Sequence, residues 1–446
     1  MKKLALACIL LIGSYSLATD FASLPADAQA AISTAMSRNR SGQLPAAIEN
    51  FTLSGSGTEN GDEFGLAVAI DGNTVVVGAS VVGQNNLGIA YVFVKPSSGW
   101  RNMTQTAELT SSDEHNGDNF AASLAISGNT IVVGASRATV NGTDQQGAAY
   151  VFVKPTNGWK NMTETAKLTA SDGATFAYFG TAIAVSGNTV VVGSPASNSV
   201  NAGPGTAYVF VEPVNGWIDM TQTAELAASD GTTFDDFGDA VSVSSSTVIV
   251  GGGQCASGCP GSGYIFVEPP TGWADMTETA KLTASDIDGV GDFGGSVSIS
   301  GDTAVVGDPY PVPNSSGTVY VFVEPDGGWV NMTQTTELTD DDTGAFACFG
   351  NSVAIAGDRI LAGDYCENIY TGAAYVFVKP AGGWQNSSRF TVRLSIPFTV
   401  YTDFFGYDVG ISATTGVVGA WRAPTSRPCR GECEPGPGEA FIFTEQ

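Results

Sequence analysis

Short runs in which apolar residues alternate with small or polar ones recur from residue 48 onward, each bounded by Gly, Asn or Pro. One stretch shows the pattern in full. Phe179–Ser186 reads FGTAIAVS, Gly187 and Asn188 break it, and Thr189–Gly193 reads TVVVG. After a loop, Ala207–Val211 reads AYVFV and ends at Glu212-Pro213; after VNGW, Met220–Ala228 reads MTQTAELAA. Period-two alternation in short runs rich in β-branched and aromatic residues predicts four strands. The two-residue Gly-Asn and Gly-Asp breaks predict tight hairpins between the first and second. A period of 3.6 residues appears only ahead of these runs, around Pro25–Met36, and predicts a short helix or tether within residues 19–47.

The four runs are written seven times. Each copy carries a Phe, at 64, 120, 179, 237, 293, 349 and 405, with a Leu eleven residues before it, at 53, 109, 168, 226, 282, 338 and 394. A self-similar period of 56 to 59 residues means stacked units, none able to bury its apolar face alone. Seven four-stranded antiparallel units predict an all-β fold, a seven-bladed β-propeller over residues 48–446. The last unit stops after its third strand, Ala440–Phe443, whereas Glu49–Ser54 precedes the first Phe with the pattern of a fourth strand. The N-terminal strand is therefore expected to complete the last blade, because an open ring would leave a bare sheet edge.

Composition adds an address. Lys2 and Lys3, an apolar run from Leu4 to Ile12 and the small residues around Ala18 have the form of a signal peptide over residues 1–18. No run is long enough to span a bilayer, so the mature chain is expected to be exported without a transmembrane span. Without those 18 residues, 16 basic residues face 44 acidic ones. That balance excludes nucleic acid as a partner and favours cations and basic or hydroxyl-rich partners. Six cysteines remain, and in an oxidising compartment their proximity predicts three local disulfides: Cys255–Cys259, Cys348–Cys366 and Cys429–Cys433.

The Phe-Gly pairs (Phe64-Gly65, Phe179-Gly180, Phe237-Gly238, Phe293-Gly294, Phe349-Gly350, Phe405-Gly406), the Val-Gly-Ala-like ends of the second strands and the AYVFV third strands resemble the FG-GAP repeat family, the propeller of integrin alpha subunits. In the second unit Phe120 is followed by Ala121 instead. The resemblance implies adhesion or ligand binding on one face of the ring. It also implies Ca²⁺ in DxDxDG loops between first and second strands, but here those positions are minimal turns such as Asp71-Gly72-Asn73 and Ser300-Gly301-Asp302. That calcium site is expected to be absent, and no cofactor is required.

Each repeated Phe is expected to pack where blades meet, as are the third-strand Tyr residues and the six Trp residues of the third-to-fourth turns, Trp100 to Trp384. Length varies mainly between second and third strands, on the face shared with the acidic connectors between blades. Loops on a rigid scaffold carry binding, so this face is the expected ligand surface. Its candidate ligand residues are Arg422, Arg427 and Arg430 of the longest insertion, with Asp235 and Asp236. Candidate Ca²⁺ ligands are Asp286, Asp288 and Asp292, and Asp113 with Asp118. The single histidine, His115, stands in a connector, and no nucleophile elbow, HExxH or phosphate loop is present. The chain is expected to be a non-catalytic binding or adhesion scaffold for a protein or glycan outside the cytoplasm. Two alternatives stay open: a carbohydrate-active or lectin-like propeller using acids at the central mouth, and a structural surface-layer component.

Overall fold

The computed structural model describes residues 48–445 apart from 84–85, 196–202, 234, 253–260, 288–290, 310–316, 341–346, 397–402 and 424–435. The signal-peptide and helix expectations therefore lie outside the described residues, as do Asp288, Arg427, Arg430 and the Cys255–Cys259 and Cys429–Cys433 pairs.

The described residues form seven antiparallel sheets, one per repeat. In the first blade the order from the axis outward is Ala67–Asp71, Thr74–Val82, Leu87–Val94 and Ala107–Thr110. The first strands of successive blades contact one another in a closed ring, so they line the axis. Ring closure is as expected. Ile48–Ser54 pairs antiparallel with Glu439–Glu445, in register from Ile48 opposite Glu445 to Leu53 opposite Ala440.

One run divides where a single strand was expected. Met220–Ala228 becomes two strands, Met220–Thr221 and Ala224–Ala227. The Met-Thr pair leaves its own blade and pairs parallel with the previous blade's fourth strand, Leu168 opposite Met220. The intervening Thr223 explains the break: its N–H donates to the Val209 carbonyl (2.7 Å), and its hydroxyl accepts from the Val211 N–H (3.1 Å). Five blades thus carry a fifth, two-residue strand borrowed from the next repeat.

The core lies between blades. Leu226, Val209 and Ala224 of the third blade meet Phe237, Tyr264, Phe266 and Trp273 of the fourth in one buried cluster. Each repeated Phe sits edge-on to its own unit's third strand, as Phe237 does to Tyr264 (5.3 Å) and Phe266 (6.1 Å). The six turn Trp residues are buried at 4–8% exposure, which makes them packing plugs. Two glycines set the spacing between blades. Gly251 is the next-to-last residue of a second strand, Thr247–Gly252, and a Cβ there would lie 2.0 Å from the carbonyl oxygen of Gly294 in the next Phe-Gly pair. Gly294 itself has φ +103°. The same contact closes the ring, from Gly419 to the Gly65 carbonyl.

Among the described residues no helix is long and apolar enough to cross a membrane. The one described helix is the single turn Glu367–Tyr370 in the sixth blade, next to the Cys348–Cys366 disulfide that the spacing predicted.

Candidate functional site

The connectors and second-to-third loops do share a face. The Phe237 N–H donates to Pro204 O (3.0 Å) and Phe404 N–H to Tyr370 O (3.0 Å), so each loop is tied to the connector entering the next blade. The residue before the repeated Phe is held in the left-handed region at Glu63 (φ 62°), Asn119 (63°), Tyr178 (55°), Asp236 (50°) and Phe404 (55°). For non-glycine residues this costs about 1–3 kcal/mol each. The residues two and three places after the Phe, Thr181 excepted, line a central cavity of about 290 Å³ whose polar wall includes Asp239, Asn351, Ser352, Tyr407 and Asp408.

Here the repeat stops repeating. Two places after the Phe stand Leu66, Ala122, Thr181, Asp239, Gly295, Asn351 and Tyr407. One side of the mouth, from the fourth and fifth blades, is acidic. Burial, reinforced by Asp239, Asp308 and Asp236, pushes the Asp292 carboxyl up to about 7. Enclosure and Asp235 raise Asp236 to about 6, and enclosure and Asp236 raise Asp239 to about 6. Asp239 opens only to the channel, walled by protein although its surface is wetted there. Asp408 is a staple: it accepts from the Val68 N–H (2.7 Å) of the first blade and the Ser352 hydroxyl (2.8 Å) of the sixth. Burial still raises it above the usual carboxylate range.

The opposite side is aromatic. Tyr365, Tyr370 and Phe404 lie within 22–28° of parallel at centroid distances of 5.3–6.3 Å. Trp421 stands 5.1 Å from Phe404 and 5.8 Å from Tyr407. The Arg422 guanidinium covers the Trp421 ring at 4.4 Å and Phe404 at 5.3 Å. Tyr407 joins the two sides: burial, then Tyr365, Asp408, Glu63 and Asp239, raise its pKa.

The structure scatters some sequence candidates and gathers others. Asp236 and Asp292 come together at the mouth, and Arg422 lies on the aromatic side. Asp235 instead caps its own turn, accepting from the Thr232 hydroxyl (2.7 Å), and borders a separate cavity with Asp230, Tyr264 and Lys281. Asp286 accepts from the Tyr320 hydroxyl (3.1 Å). Asp113 binds Tyr150 (2.9 Å) and Lys167 (2.6 Å); burial opposes its charge, but these bonds hold its carboxyl below the usual range. Asp118 accepts from the His115 N–H (2.8 Å), while the His115 side chain is 81% exposed. Among the described residues no three His, Cys, Asp or Glu side chains are grouped to hold a metal.

Sequence reasoning missed Asp239, Asp408, Tyr365, Tyr370, Phe404, Tyr407 and Trp421. For most the signal was present in the aligned copies. Trp421 stands where other repeats have Ser80, Ser136, Pro195, Gly253, Pro309 and Tyr365.

No curated protein matches the chain. Its fold matches the solved structure of U3-55K at 11% identity, with a TM-score of 0.51 over 90% of this chain and 99% of that one. Likeness at that identity establishes the propeller and nothing about what it binds. The family model described as FG-GAP repeat matches residues 49–93, 103–152, 162–210, 220–266, 276–322 and 332–377. Six matches, each running from a fourth strand through the next blade's third, cover well over half the sequence, and the chain belongs to the FG-GAP repeat family.

Proposed function

We propose that this protein is an exported, non-catalytic binding propeller whose ligand, a protein or glycan outside the cytoplasm, docks on the loop face around the channel mouth. The observation that carries the reading is the distribution of departures from the repeat. Repeated side chains are spent on packing or on bonds between blades. The unrepeated ones collect around the cavity: Asp239 and Tyr407 line it, Asp236 and Asp292 adjoin Asp239, and Trp421 packs against Tyr407 and Phe404. Five connector residues held in left-handed backbone support the same reading, since such conformations cluster at ligand sites.

The test is an array of extracellular proteins and glycans probed with the mature chain, with and without Ca²⁺. The triple variant D236N/D239N/D292N should lose the captured ligand while its melting stays cooperative. Capture that is equal in wild type and variant, and equal again when the aromatic side is altered, would move the site off this face.

A hydrolase reading has one observation in its favour. Asp236, Asp239 and Asp292 hold protons near pH 6 to 7, the range of a general acid. Release of products from a polysaccharide library by wild type but not D239N would establish it.

A further inference from the structure

Resting on that reading and narrowing it, we infer that the patch of Tyr365, Tyr370, Phe404, Tyr407 and Trp421 is a stacking platform for a neutral pyranose ring of a glycan.

The fold does not need these rings. Phe404 stands where the other blades carry Glu63, Asn119, Tyr178, Asp236, Asp292 or Cys348, and Tyr407 stands where they carry nothing larger than Leu66. The conserved packing trio of the seventh blade is separate: Phe405 meets Phe441 at 5.7 Å and Phe443 at 5.8 Å. The extra rings come from three different connections. Two of them, Phe404 (φ 55°) and Tyr370 (φ 64°), stand on left-handed backbone that bulky residues rarely adopt. Tyr370 is 44% exposed, so its ring is not held there by burial. Tyr365, Tyr370 and Phe404 stack on one another nearly parallel, and Tyr370 is the exposed member of the stack.

Charge selects the occupant. The chain carries 44 acidic against 18 basic residues, which disfavours an anionic ligand. A cationic ligand is disfavoured beside the Arg422 guanidinium, which lies against Trp421 and Phe404 and leaves the exposed Tyr370 end of the patch for the ligand. What remains is a neutral ring with an apolar face and a polar rim. A pyranose offers its C–H face to the rings and its hydroxyls to the Tyr370 phenol and to Asp239, which lines the cavity with Tyr407. Such a site stacks one or two sugar units, so affinity should be on the order of 0.1–1 mM for short oligosaccharides and rise with multivalent display.

The experiment is saturation-transfer NMR and titration of the mature chain with neutral gluco-, xylo-, manno- and chito-oligosaccharides, and with uronate oligomers and tetramethylammonium as charged controls. At least one neutral series should bind. Tyr370→Ala should weaken it at least tenfold without changing the melting temperature, and Tyr370→Phe less. Trp421→Phe should remove a ligand-induced change in tryptophan emission, because the other six indoles are buried plugs. Three results would overturn the inference: no neutral oligosaccharide binding at 10 mM, equal binding by wild type and Tyr370→Ala, or binding of the charged controls alone. A protein ligand lost in D236N/D239N/D292N but retained by Tyr370→Ala would keep the binding face and discard the sugar platform.

Discussion

At the residue scale the repeats vary where only half of a side chain is used. Asn102, Asn161, Asp219, Asp275, Asn331 and Asn386 occupy one position, and each accepts from a fourth-strand N–H of the preceding blade through Oδ1. Gln105, Glu164, Gln222, Glu278 and Gln334 accept through an Oε from the N–H of a serine two residues beyond that strand. Asn and Asp share that oxygen, as do Gln and Glu, so either member of each pair serves. This is why NMT and DMT alternate, a variation the sequence displays but cannot explain without the bond. Asn331→Asp should therefore leave stability within ~0.5 kcal/mol, whereas Asn331→Ala should cost about 1 kcal/mol in chemical denaturation. On the opposite face Ser127, Ser186, Ser244, Ser300 and Ser412, with Asp71, accept from the neighbouring hairpin's N–H, as in Gly187 to Ser127 (3.1 Å). Ala356 is the seventh member and has no acceptor. Ala356→Ser should complete the circle and raise stability by roughly 0.5–1 kcal/mol, read as a higher denaturation midpoint at unchanged slope.

At the element scale the blade is legible because period-two alternation and glycine turns are local signals. Less legible is what one blade does to the next. Sequence alone puts the Met-Thr pair in its own fourth strand, since nothing in a single copy says that Met220 belongs beside Leu168. The glycine near the end of each second strand was visible as a motif, but its reason is the neighbour's backbone. Gly251→Ala would place a methyl 2.0 Å from a carbonyl oxygen that cannot withdraw without moving the next Phe-Gly turn. We expect a loss of more than ~3 kcal/mol in denaturant unfolding, against a near-neutral change at a turn glycine such as Gly327, whose Cβ would meet nothing. The candidate site was half legible for the same reason. Acidic connectors stand out by composition, yet most of those carboxylates answer to a phenol or a turn N–H, as Asp286 does to Tyr320. The aromatic side escaped notice because its members lie up to 56 residues apart and come together only across two blades.

At the scale of the whole molecule two properties belong to no single blade. The first is the acidic mouth. Asp236, Asp239 and Asp292 hold protons more tightly in the folded ring than in the unfolded chain, at about 6, 6 and 7 against an ordinary value near 3.8. The folded state then binds more protons between about pH 4 and 7, so stability falls as pH rises through that window and levels off above it. Glu114, raised to about 7 by burial, acts in the same sense. Melting temperatures from pH 5 to 8 should decline, and D236N/D239N/D292N should flatten the profile relative to wild type; a parallel pair of profiles would mean the mouth is too well hydrated to matter.

The second is closure. Ile48–Ser54 supplies the outer strand of a blade whose other three strands lie at the far end of the chain, and its Leu53 is fully buried with Phe64, Tyr91 and Ile442. Met103–Thr104 pairs with it in turn, and Asn102 and Gln105 accept from Thr52 and Ser56. Removing the segment would uncover that interface and leave Glu439–Glu445 as a bare edge. Deleting Ile48–Ser54 should therefore abolish cooperative unfolding and produce aggregates, not a ring weakened by one strand. The contrasting variant moves the strand without losing it. Ile48 lies opposite Glu445, so a chain begun at Gly55 and continued past Glu445 through an Asn-Gly turn into Ile48–Ser54 would make the same pairing as a hairpin. Calorimetry and light scattering should find this permutant monomeric, with a single transition near that of wild type. If the deletion stayed folded, or the permutant failed while the deletion did not, the ring would owe its closure to something other than this strand.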